Sequence, residues 1–118
     1  MRPPEAALRM LGLAARAGSV VPGTAQVRQM ARAGRVRYVI VAADASANSR
    51  EKLLPLLAAR RIPFTVAWDR EELGRAVGRG PLSAVGITDG ALAARVAELL
   101  AGAGEGSADP PAGGRGAG

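Results

Sequence analysis

The sequence predicts an α/β domain, a three-layer α-β-α sandwich with helices on both faces of a four-stranded, mostly parallel or mixed sheet. Three observations carry this. Helical and strand-like patterns alternate in the order αβαβαβαβα, which places helices against a sheet rather than in a separate bundle. The run "RYVIVAA" (37–43) is continuously apolar, as a central strand covered on both faces requires. Finally, 48% of 118 residues are apolar, enough for one domain with a small core. Tyr38, Phe64 and Trp68 are the only aromatics, so that core is built from Leu, Val, Ile, Ala and Met.

Each element has its own signal. Pro3-Pro4 precede "EAALRMLGLAARAG", where Ala7, Met10, Leu11 and Ala14 follow helical spacing and Gly18 stops the helix. "SVV" (19–21) is a short strand ended by Pro22-Gly23. The second helix is expected from about Thr24 to Ala33, with Val27, Met30 and Ala31 inward and Gly34 as the residue past its end. After the central strand, Asn48 and Glu51 have capping-box spacing for a third helix, within which Pro55 predicts a kink or break. "IPFTVAW" (62–68) reads as the third strand, and Asp69 with Glu72 forms a second capping-box pattern opening "REELGRAVG". "SAVGITD" (83–89) is the fourth strand, followed by "GALAARVAELL" with Thr88 or Asp89 as cap. Residues 101–118, "AGAGEGSADPPAGGRGAG", bury too little to offset their ordering entropy and are expected to be a disordered tail behind a folded unit of residues 4–100.

Absences narrow the function. Without Cys there are no disulfides, thiol nucleophiles or Cys-based metal sites; without His, triad catalysis and the commonest metal ligand are excluded. No run is long and apolar enough for a membrane span, and charge interrupts the N-terminal segment too often for a secretory signal. The expectation is a cytoplasmic protein that is not an enzyme and has no metal and no cofactor.

The net charge of +6 is concentrated rather than spread. Residues 1–37 carry Arg2, Arg9, Arg16, Arg28, Arg32, Arg35 and Arg37 against Glu5 alone, while the remainder is balanced. A local basic patch suits an anionic partner, most often nucleic acid. In "PGTAQVRQMARAGR" a strand turns directly into a helix, whose first N–H groups lack intrahelical partners and sit at the positive end of its dipole. Phosphate placed there gains hydrogen bonds without a special side chain, and Gly23 permits close approach. Arg28, Arg32 and Arg35 recur at helical spacing, on a face expected to lie opposite Val27, Met30 and Ala31. The loop "GRGPLSA" (78–84) offers Arg79 to phosphate, although it serves equally as a plain connection. Asp44, Ser46 and Asn48 fit turn and cap duty better than a site, and the capping box accounts for Asp69 and Glu72. Scattered aromatics leave no stacking platform for bases.

The strings "LGLAARAGSVVPG" (11–23), "RYVIVAADASANSREKL" (37–53), "IPFTVAWDREELGRAVGRG" (62–80) and "AVGITDGALA" (84–93) resemble the L7Ae/L30e ribosomal-protein family, and most closely its small bacterial members of the YlxQ type. The resemblance implies an L30e-like sandwich that binds structured RNA, typically kink-turns or ribosomal RNA. In that family the turn from the first strand to the second helix reads G-x-N-E-x-x-K. Here the glycine is Gly23, followed by Thr24; Ala25 stands for the Asn, Gln26 for the Glu and Gln29 for the Lys. The family's second RNA-contacting loop falls on Gly80, Pro81, Leu82 and Ser83.

These substitutions leave phosphate and shape recognition in place and remove side chains that read bases. The expected RNA surface is Gly23, Thr24, Ala25, Gln26, Arg28, Gln29, Arg32, Arg79, Gly80, Pro81, Leu82 and Ser83. The alternative is a protein-interaction scaffold on the ribosome or another ribonucleoprotein, with specific kink-turn reading lost.

Overall fold

The computed structural model describes residues 3–102. The elements are α1 (Glu5–Arg16), β1 (Val20–Pro22), α2 (Thr24–Arg32), β2 (Tyr38–Val41), α3 (Ala47–Ala59), β3 (Phe64–Val66), α4 (Arg70–Ala76), β4 (Ala84–Ile87) and α5 (Gly90–Gly102). The alternation expected from the sequence is therefore present throughout. The tail expected beyond residue 100 lies outside the described residues from 103 onward, and residues 101 and 102 are the last of α5.

The sheet is mixed, in the order β1-β4-β2-β3. β4 pairs antiparallel with both β1 and β2, and β2 pairs parallel with β3. The two inner strands, β2 and β4, are buried along their whole length, which is why their sequences are apolar without alternation. The side chains of Tyr38 and Thr65 are hydrogen-bonded, tying β2 to the edge strand β3. α1 packs on α4 and α5 in one helical layer, and α2 packs on α3 in the other. The core runs through both interfaces: Leu11, Leu73 and Val96 come from the first layer, Val27, Leu53 and Leu57 from the second.

Three local expectations are corrected. The cap of α3 is Ser46, whose Oγ accepts the Ser49 amide at 3.1 Å; Asn48 lies inside the first turn, exposed. That choice leaves Ala47, Asn48 and Ser49 as the first helical turn, so the spacing from Asn48 to Glu51 is incidental to capping. α3 also continues through Pro55 to Ala59 without a break. Last, β2, β3 and β4 are shorter than the runs that predict them, β3 covering only Phe64–Val66 of the run from 62 to 68, and β1 lies one residue further on, at Val20–Pro22.

The register matters most for function. Pro22 at the end of β1 faces Val85, and Val41 at the end of β2 faces Ala84. The segments leaving β1 and β2 and the segment entering β4 therefore meet at one end of the sheet.

Candidate nucleic-acid interface

At that end, Gly23 links β1 to α2 with φ 97° and ψ 147°, a conformation that side chains with a Cβ rarely adopt. Its carbonyl accepts the Val27 amide at 2.9 Å and so starts the helix. Among the described residues no side chain caps α2, and its first turn holds no acidic residue. The amides there keep their positive polarity unneutralised, with Ala25 and Gln26 exposed beside them and Thr24 half-buried.

The loop before β4 sits against this turn. The Gly23 amide donates to the Ala84 carbonyl at 2.9 Å, and the Ala42 amide donates to the Ser83 carbonyl at 2.8 Å. Gly80, Pro81 and Arg79 are exposed, while Leu82 and Ser83 are half-buried. The sequence alone leaves the position of this loop open; the antiparallel pairing of β1 with β4 puts it beside Gly23.

The loop is braced from its other side by residues that sequence reasoning assigned to turns. Asp44 Oδ1 accepts the Arg70 amide at 2.9 Å, and its Oδ2 lies 3.5 Å from Arg70 Nε. The Arg70 carbonyl in turn accepts the Leu82 amide at 3.0 Å. Asp44 thus joins the end of β2 to the start of α4, and α4 holds the loop. Arg50 reaches back to the Ala43 carbonyl at 2.6 Å, fixing the same corner. The capping box of Asp69 and Glu72 is present in both directions, at 2.8 and 3.1 Å, so these carboxylates are occupied in starting α4. Asp89 caps α5 by accepting the Leu92 amide at 2.8 Å. No signal in the sequence distinguishes Asp44 as a brace, because its partner lies 26 residues away.

The arginines are distributed differently from the sequence expectation. α2 ends at Arg32, and Arg35 lies beyond Gly34, where its amide closes the helix end on the Met30 carbonyl at 3.0 Å. Arg35 is therefore not part of a helical face. Arg28 is half-buried on the flank of α2, and among the described residues its buried Nε has no hydrogen-bond acceptor. Arg32 and Gln29 are exposed. Arg9 and Arg16 belong to α1, in the other helical layer. Among the described residues, no group of His, Cys, Asp or Glu side chains is arranged to hold a metal ion.

The chain as a whole is similar to several known proteins. RNA-binding protein YlxQ of Bacillus subtilis is 33% identical over 91 residues, covering 77% of this chain and 91% of that protein. RNA-binding protein YlxQ of Enterococcus faecium is 29% identical over 98 residues, covering 83% and 94%. The solved structure of a protein of unknown function from Bacillus halodurans C matches with a TM-score of 0.76 at 35% identity, over 80% of this chain and 95% of that one. The 15.5kD RNA binding protein of Giardia lamblia shares the fold, with a TM-score of 0.66 at 24% identity over 79% and 80% of the two chains. Residues 5–96 match the Ribosomal protein L7Ae/L30e/S12e/Gadd45 family, a stretch that holds every element of the sheet and both loops of the surface. By that match the chain belongs to the L7Ae/L30e/S12e/Gadd45 ribosomal-protein family.

Proposed function

We propose that this chain is a non-catalytic, cytoplasmic RNA-binding protein that holds structured RNA, kink-turn-like or ribosomal, across the β1–α2 turn and the loop before β4. The bond from the Gly23 amide to the Ala84 carbonyl carries the reading, because it turns two loops that are remote in sequence into one continuous surface. The names of the YlxQ relatives support RNA as the ligand. On this surface the free amides of α2 take phosphate, and Arg28, Arg32 and Arg79 supply charge. Gln26 retains both a donor and an acceptor for a base edge. Ala25 has no polar side-chain atom, and Gln29 has no charge, so affinity rests on backbone and shape more than on base identity.

The test is titration of a kink-turn RNA and a straight duplex of equal length at several salt concentrations. Preference for the kink-turn supports the proposal. Equal affinities at physiological salt favour the second reading, a ribonucleoprotein scaffold without specific kink-turn recognition, which Ala25 and Gln29 motivate. Replacing Arg28 and Arg32 together with Ala is expected to weaken both RNAs and flatten the logarithmic salt slope by about one to two units. An unchanged slope would remove α2 from the surface.

A further inference from the structure

Arg9, Arg16 and Arg95 are not used by the surface described above, and they converge elsewhere. Together with Glu5 they border a groove of about 540 Å³ on the outer helical layer, between α1, the end of α4 and α5. Its lining is largely apolar and includes Leu8, Leu13 and Leu99. Leu13 is 50% exposed and adjoins the groove's other leucines, Leu8 and Leu99, so it is part of a contiguous apolar strip that reaches solvent. On α1, Arg9 lies one turn before Leu13 and Arg16 one turn after it, so the three share a face. Among the described residues neither Arg9 nor Arg16 has an ion-pair partner, whereas Arg95 is 3.3 Å from Glu98 on its own helix.

We propose that this groove docks an acidic amphipathic helix of a partner protein: a leucine-type side chain enters beside Leu13, and flanking carboxylates meet Arg9 and Arg16. The charge of the border favours acid: Arg95 is offset by Glu98, which leaves Arg9 and Arg16 against Glu5. The apolar lining argues against a second stretch of RNA, because a phosphate backbone gains nothing by dehydrating Leu8, Leu13 and Leu99. A helix supplies apolar residues at the i, i+3, i+4 and i+7 spacing that a groove between helices accepts. The surface is separate from the RNA proposal and does not depend on it.

The experiment uses the full chain, labelled with 15N, and three probes: a synthetic amphipathic peptide with Leu at i, i+3, i+4 and i+7 flanked by Glu; the same peptide with Lys for Glu; and the kink-turn RNA. The expected result is saturable shifts of Arg9, Leu13, Arg16 and Leu99 amides with the Glu peptide and at least tenfold weaker binding of the Lys peptide. Leu13→Asp is expected to abolish the peptide shifts while leaving the RNA affinity unchanged within twofold. Since Leu13 is half in solvent, this variant folds, and unchanged amide dispersion verifies it. Absence of α1 shifts at millimolar Glu peptide, equal binding of the Lys peptide, or shifts of the same amides by RNA would each overturn the proposal. Shifts at α1 that depend on protein concentration alone would assign the groove to a second copy and overturn it likewise.

Discussion

A Cβ on Gly74 would lie 1.8 Å from the carbonyl oxygen of Gly80, and that carbonyl is backbone that no side-chain rotation can move aside. The glycine sits inside α4, where its cost in helix propensity is about 1 kcal/mol relative to alanine. What it permits is the seating of the loop before β4 directly on the helix, completed by the Arg79 amide bonding the Gly74 carbonyl at 2.7 Å. Gly74→Ala is therefore expected to lower stability by about 1–3 kcal/mol despite the gain in propensity, through overpacking. It should also weaken RNA binding more than the loss of stability alone explains, because residues 79–83 must shift. Chemical denaturation followed by RNA titration of the folded variant checks both. A variant as stable as the parent would mean that the loop is not held against α4.

Arg61 presents the reverse case. α3 ends with the Arg61 amide on the Ala58 carbonyl at 3.1 Å and the Ile62 amide on the Leu57 carbonyl at 2.9 Å. This is the same paired closure that ends α1, α2 and α4, where Gly18, Gly34 and Gly78 occupy the left-handed position. Arg61 takes that position with φ 57° and bears the penalty of its Cβ. Arg61→Gly is expected to raise stability by about 0.5–1 kcal/mol, a shift of a few degrees in Tm for a domain of this size. Arg61→Ala, which removes the guanidinium and keeps the Cβ, should give no such gain. A rise in Tm for both variants would attribute the effect to charge instead.

The extent to which all this is readable in the sequence follows the range of the interactions. Helix ends at Gly18 and Gly34 and the box of Asp69 and Glu72 are set by neighbours within a few residues, and their patterns predict them correctly. The continuous apolar run of β2 likewise reports burial on both faces. Strand order carries no such local trace. That β4 inserts between β1 and β2, bringing Ser83 to Ala42 and Ala84 to Gly23, depends on pairings between residues more than 40 positions apart. The surface is therefore legible in the sequence as two separate candidate loops, and its continuity is not. Helical spacing misplaces Arg35 when it is extended across Gly34, where the helix has already closed.

The cap of α3 can be tested directly. Ser46 Oγ satisfies one of the free amides at the start of the helix, and replacing such a cap with Ala typically costs about 1 kcal/mol. Ser46→Ala should lower the denaturant midpoint accordingly. Asn48→Ala should be neutral or slightly stabilising, since Asn48 is exposed and alanine is the better helix former. If the order were reversed, the helix would begin at Asn48 in solution. The pair also bears on the interface, because Ser46 follows the Asp44 brace by two residues.

Base reading can be restored separately from charge. Ala25, Gln26 and Gln29 are all exposed on the side of α2 that carries the proposed RNA surface, so substitutions there leave packing intact. The family motif places Asn, Glu and Lys at these positions. Ala25→Asn and Gln26→Glu together return a base-edge amide and a carboxylate acceptor without adding positive charge. Each well-formed pair to a base is worth about 1–3 kcal/mol of discrimination. The double variant is therefore expected to increase the kink-turn preference over straight duplex by at least about tenfold, with duplex affinity unchanged or reduced by the added carboxylate. Adding Gln29→Lys should then strengthen both RNAs, since its contact is with backbone charge, and leave the ratio nearly constant. A ratio that rises only once Gln29→Lys is added would assign recognition to the cation rather than to the base contacts. A ratio that never rises would show that the geometry around Gly23 in this chain does not present these positions to a bent RNA, and would favour the scaffold reading.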